Sequence, residues 1–77
     1  MLFTETELEG VYVIDIERLG DDRGFFARTY CAKEFEAHGI NPAIAQCNLS
    51  FNHHAGTIRG LHFQLPPATE TQFVRCT

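Results

Sequence analysis

At 77 residues, 44% hydrophobic and 21% charged, the chain has room for one small domain and contains no low-complexity tract. Its formal net charge is −4 and its six Lys and Arg residues form no cluster, which argues against nucleic acid or an anionic membrane as the main partner. No apolar run approaches a membrane span, and Met1-Leu2-Phe3-Thr4-Glu5 lacks the basic and apolar regions of a signal peptide. Cys31, Cys47 and Cys76 are an odd, widely spaced set that suits neither a disulfide framework nor a zinc site. A reducing cytoplasm is the expected setting.

In chain order, residues 1–9 are polar and read as an edge strand or arm. Gly10-Val11-Tyr12-Val13-Ile14 is β-prone and apolar on both faces, which predicts a buried strand. Gly20-Asp21-Asp22-Arg23-Gly24 has the composition of a turn, and Phe25-Phe26-Ala27-Arg28-Thr29-Tyr30 reads as the next strand. Helix formers then dominate 32–38. Phe35 is the anchor there, His38 lies in the last turn, and Gly39 can supply a left-handed cap. Such a helix, about two turns long, depends on packing to persist.

The most regular pattern follows. Ala45, Cys47, Leu49 and Phe51 alternate with Gln46, Asn48, Ser50 and Asn52, the period of a strand with one apolar and one polar face. The polar face is either solvated or turned to a barrel lumen, where Gln46 and Asn48 can hydrogen-bond a ligand. Cys31 and Cys47 are expected as small core residues. Asn52-His53-His54-Ala55-Gly56 reads as a turn into the hairpin partner 57–65, and 72–77 begins a last strand. Short strands, one helix and no βαβ alternation predict a mainly antiparallel β architecture. A strand starting so near residue 77 suggests the N-terminal part of a larger domain.

The stretch Gly56-Thr57-Ile58-Arg59-Gly60-Leu61-His62-Phe63-Gln64-Leu65-Pro66-Pro67 is the centre of interest. It places a guanidinium and an imidazole inside an apolar run, separates them by a glycine, and ends on two prolines that cannot donate to a sheet. Imidazole side chains titrate near neutrality, so one held toward a cavity suits proton transfer. His62 as a hydrogen-bonded core residue, with Arg59 as a surface charge, is the competing account. In a regular strand Arg59 and His62 face opposite sides. Either Gly60 hosts a bulge that re-aims one of them, or the two line different pockets.

Arg23-Gly24-Phe25-Phe26, Gln46-Cys47-Asn48-Leu49-Ser50, the 56–64 stretch with Pro66-Pro67, and Val74-Arg75-Cys76 occur in an order that resembles the dTDP-4-dehydrorhamnose 3,5-epimerase family. The resemblance implies a cupin (jelly-roll) barrel of which 1–77 is the N-terminal part. It also implies a metal-independent, cofactor-free homodimer acting on a dTDP-linked 4-keto-6-deoxy sugar. By resemblance His62 is the base that removes the proton beside the ketone. Arg23, Gln46, Cys47, Asn48 and Arg59 then match substrate-binding positions, where a planar guanidinium can meet phosphate oxygens bidentately. The family's tyrosine acid and the aspartate that orients the histidine are expected beyond residue 77, so the 77-residue polypeptide alone is expected to lack turnover.

Two substrate-contact positions depart from the family pattern. Arg28 stands where a carboxylate is usual, and Gln72 where a lysine is usual. Losing a charged donor near a developing enolate weakens transition-state stabilisation. Three alternatives therefore stand beside the epimerase. A metal-dependent cupin needs His-x-His on one strand, but Gln64 follows His62 at that spacing, and His53 and His54 are adjacent in a turn. A sugar-nucleotide ketoisomerase on the same fold also moves protons beside a carbonyl. A catalytically incomplete piece that only binds nucleotide-sugar is the third.

Overall fold

The computed structural model covers residues 1–77. Strand β1 (Leu2–Glu5) pairs antiparallel with β2 (Tyr12–Asp15), with Phe3 opposite Ile14 and Glu5 opposite Tyr12. The connection turns on Thr6, whose backbone N–H donates to the Val11 carbonyl at 3.1 Å while its hydroxyl donates to the same oxygen at 2.9 Å. β3 (Leu19–Asp21) and β4 (Gly24–Phe26) form a second antiparallel pair, so the turn expected over 20–24 narrows to Asp22-Arg23 and the strand expected over 25–30 stops at Phe26. Helix α1 spans Ala32–Ala37. The fold class is as expected, mainly antiparallel β with one short helix, consistent with part of a cupin-like fold. No helix is long and apolar enough to cross a membrane.

One side chain makes the core. Phe35, 4% exposed, is the sole buried residue. Edge-on aromatic contacts surround it: Phe3 at 5.8 Å, Tyr30 at 5.0 Å and Phe73 at 5.3 Å between ring centroids. Such edge-to-face pairs add to the area they bury because the positive ring edge meets the negative face. The Tyr30 hydroxyl donates to the Pro42 carbonyl, so the polar tip of this packed ring is satisfied. His38 lies flat on Phe3, with centroids 3.9 Å apart and planes 8° from parallel. The helix anchor expected at Phe35 is therefore what joins β1, α1 and residue 73.

The helix ends in the cap its sequence foretells. Gly39 has φ +73°, its N–H donates to the Glu36 carbonyl at 3.0 Å, and the Ile40 N–H reaches back to Phe35 at 3.0 Å. This pair of bonds defines a Schellman motif, which satisfies carbonyls the helix leaves open. A Cβ at Gly39 meets nothing within 4 Å, so the cost of a side chain there is purely that of the left-handed backbone. Gly39→Ala is expected to lower stability by about 1 kcal/mol. Urea unfolding followed by far-ultraviolet circular dichroism measures this, and an unchanged midpoint refutes it.

The N-terminus is tied to the helix by charge. The Met1 ammonium donates to Glu17 Oε2 and to Glu34 Oε1, both at 3.1 Å, and Arg28 reaches Glu34 Oε2 at 3.4 Å. The hydrogen bond to Glu34, then that to Glu17, raises the ammonium pKa above the ordinary amino-terminal range. The same ammonium bond holds the Glu34 carboxyl below the usual carboxylate range. Glu34 therefore stabilises the fold above its unfolded pKa, and that contribution is lost as pH falls through its lowered folded value. The amine stabilises below its unfolded pKa, and its contribution is lost as pH rises through its raised folded value. Stability is expected to plateau between these limits and decline beyond both. The ring-current shifts of the Phe3–His38 stack, followed by NMR across pH, test this; a profile flat through either window counts against it.

Beyond residue 43 the chain departs from the sequence reading. The expected strands 45–51, 57–65 and 72–77 are not formed, and of 17 backbone–backbone hydrogen bonds only that from Ala68 to Leu65 lies wholly in this region. Leu49, Ile58 and Phe63 are at least 81% exposed. Cys47 is exposed too, and Cys31 is only half-buried, so neither is the core residue expected. β2 differs in a smaller way: Tyr12 and Ile14 are half-buried while Val13 is exposed, so one face is covered rather than two. The physical reason is shared. A hairpin alone is marginal in water and needs a third strand or a helix over its apolar face, and no element of this chain covers the apolar side of 45–65. The radius of gyration, 15.3 Å, exceeds the roughly 11–12 Å of a compact chain of this length.

Candidate functional site

His62 is exposed and lines an open hollow of 340 Å³ together with Phe63, Gln64, Thr69, Glu70 and Gln72. A single ring, Phe63, supplies the apolar wall; the other five side chains are polar or titratable. The hollow arises because the chain reverses at Pro66-Pro67, where the Ala68 N–H donates to the Leu65 carbonyl at 2.9 Å and brings 69–72 back beside 62–64. Gly60 sets the approach. Its φ of +146° suits glycine, and a Cβ placed there would lie 3.4 Å from His62 Nδ1. No bulge is involved, since no strand forms at Gly60, but its backbone does bring the imidazole alongside.

The sequence candidates fall into separate places. His62 and Gln72 share the hollow, whereas Arg23, Arg28, Gln46, Cys47, Asn48 and Arg59 do not line it. Arg23 sits in the β3–β4 turn and is held by Asp21. The carboxylate accepts the Arg23 backbone N–H at 2.8 Å and the guanidinium at 2.6 Å. That guanidinium holds the Asp21 carboxyl below its ordinary range and is itself raised. Arg28 is engaged with Glu34. Gln46, Cys47, Asn48 and Arg59 are exposed along the unpaired 43–65 segment. Arg75 donates to the Thr29 carbonyl at 2.9 Å and lies over the Phe73 ring, a structural role that fastens 73–76 beside residues 14–16.

Sequence reasoning passed over Glu70. Its Oε1 accepts a hydrogen bond from Gln72 Nε2 at 2.6 Å inside the His62 hollow. The available signal was the Glu-Thr-Gln spacing, which puts positions 70 and 72 on one side of an extended backbone. His53 and His54 lie elsewhere: His53 packs edge-on against Phe51 at 5.2 Å, and the His54 carbonyl accepts the Thr57 hydroxyl at 2.8 Å. No three His, Cys, Asp or Glu side chains converge as a metal-binding group.

Residues 5–77 match the dTDP-4-dehydrorhamnose 3,5-epimerase family. The chain belongs to that family. It is 36% identical over 77 residues to the dTDP-4-dehydrorhamnose 3,5-epimerase of Sinorhizobium fredii, covering 100% of this chain and 40% of the relative. The enzyme of that name from Shigella flexneri is 38% identical over 73 residues, 94% of this chain and 40% of its own length. A dTDP-4-dehydrorhamnose 3-epimerase of Streptomyces niveus is 39% identical over 70 residues, 90% of this chain and 33% of that protein. The chain thus spans about two-fifths or less of the length of these epimerase relatives. No solved structure matches it.

Proposed function

We propose that this chain contributes the base-bearing part of an enzyme that epimerises a dTDP-linked 4-keto-6-deoxyhexose at C3 and C5. The observation that carries the reading is His62, exposed in a polar hollow and inside the segment matched to the epimerase family. Hydrogens on carbons flanking a ketone are acidic because the resulting carbanion is delocalised onto oxygen as an enolate. An imidazole that removes such a proton, followed by reprotonation from the opposite face, inverts the centre. Gln64 and Gln72 supply amide donors and acceptors for sugar oxygens in the same hollow. Arg23 and Arg59 are suited to the diphosphate, and Arg28, Gln46, Cys47 and Asn48 to the remainder of the nucleotide-sugar. The active assembly is a homodimer in which the bare apolar side chains of 45–65 are covered. No cofactor takes part.

Incubation with the 4-keto sugar in heavy water, using the full-length protein that carries these residues, tests the reading. Deuterium at C3 and C5 with inverted configuration supports it, and a migrated carbonyl supports a ketoisomerase instead. Gln72 favours that second outcome, since an amide brings no positive charge to an enolate. Deuterium confined to C3 identifies the narrower activity in the name of the Streptomyces niveus relative. Binding without exchange in the full-length protein leaves only a nucleotide-sugar-binding module.

A further inference from the structure

We infer that Glu70 is a positioning residue for Gln72, and that the pair reads a hydroxyl of the hexose beside His62. The inference rests on the epimerase reading for the identity of the ligand, but its geometry stands apart from it. Glu70 and Gln72 are both exposed side chains of the hollow that holds His62, Gln64 and Thr69. The 2.6 Å bond uses one of the two amide protons of Gln72, and its acceptor is a carboxylate oxygen. Charge-assisted bonds of this kind are shorter and stronger than neutral ones. A free glutamine side chain samples many rotamers and can present either end of its amide. Anchored through Nε2, the amide must turn its carbonyl oxygen and its second N–H elsewhere, and the hollow is where the side chain stands.

The polarity of the anchor decides what the site recognises. A carboxylate accepting from Nε2 pushes electron density toward the amide oxygen, which strengthens it as an acceptor. The group presented is then an acceptor for a neutral hydroxyl, with an anionic neighbour. A hollow so furnished discriminates in favour of a hydroxylated sugar ring and against an additional negative charge. Glu70 touches neither the base nor, on this account, the reacting carbon; it acts through Gln72.

Titration of the full-length protein that carries these residues with dTDP-glucose and with dTDP separates the hexose contribution from the nucleotide contribution. Glu70→Ala is expected to lower the ratio of the two affinities about five- to tenfold, and Gln72→Ala to do the same, while affinity for dTDP stays unchanged. Because the two residues act as a unit, the double variant is expected to match either single one. Glu70→Gln keeps an acceptor oxygen and should recover part of the ratio. In the free protein, the Gln72 side-chain amide proton bonded to Glu70 should resonate downfield in wild type and lose that shift in Glu70→Ala. Additive losses in the double variant, or an unchanged ratio in Glu70→Ala, overturn the inference. So does an amide signal indifferent to Glu70. Should dTDP-glucose perturb no resonance of His62, Gln64 or Thr69, the epimerase reading of the hollow falls with it; perturbation there with an unmoved ratio removes the role of Glu70 alone.

Discussion

His62→Asn in the full-length protein is expected to slow deuterium wash-in at C3 and C5 by about a hundred- to ten-thousandfold, the usual contribution of a positioned base. Asparagine keeps the approximate size and a hydrogen-bonding head but cannot take a proton near neutral pH. The site chosen makes the result clean: His62 is exposed and lies outside the aromatic cluster around Phe35, so the substitution leaves the packed part of the molecule alone. Chemical shifts of Phe3, Phe35 and His38 should accordingly be unmoved. Affinity for the dTDP-sugar should change by less than about tenfold, because a base acts mainly in the transition state. Exchange at wild-type speed in the asparagine variant removes His62 from the mechanism.

The second large effect is on stability. Phe35→Ala removes the one buried side chain and with it all three edge-on ring contacts. Truncating a buried phenylalanine costs about 3–5 kcal/mol, while the whole core of a chain this size rarely supplies more than about 3–5 kcal/mol. The two figures are equal, so the expected outcome is loss of the helix and of the β1–β2 pairing together, not a shifted midpoint. Far-ultraviolet circular dichroism of the 77-residue chain reads it directly. Phe35→Leu, which preserves most of the volume, should retain a cooperative transition. Native-like spectra for the alanine variant contradict the single-anchor account.

What was legible from residues alone divides at position 43. Before it, local signals and tertiary environment agree in the main: Phe35 finds rings to pack on and Gly39 closes the helix as its placement suggests, while β2 is covered on one face only and the strand expected over 25–30 stops at Phe26. After it, the alternation through Ala45, Cys47, Leu49 and Phe51 is faultless as a pattern, yet no strand forms. Alternation specifies which side chains share a face; it does not supply a neighbouring backbone or a surface to cover that face. The same limit applies to the candidate site. His62 and Gln72 could be named from the sequence and line one hollow, but Glu70 depends on a chain reversal at the prolines that composition only hints at. Arg23 could be named too, though not its engagement by Asp21, which is set by the geometry of the hairpin turn.

The ammonium of Met1 carries a practical lesson for anyone preparing this protein. A purification handle fused ahead of it, or acetylation of the amine, replaces a cation with a neutral amide at the point where two glutamates converge. Glu17 would then lose its cation and Glu34 would keep only the Arg28 guanidinium at 3.4 Å, and the first strand would lose its electrostatic tether to the helix. A handle fused ahead of Met1 would have to be cleaved to keep this ion pairing.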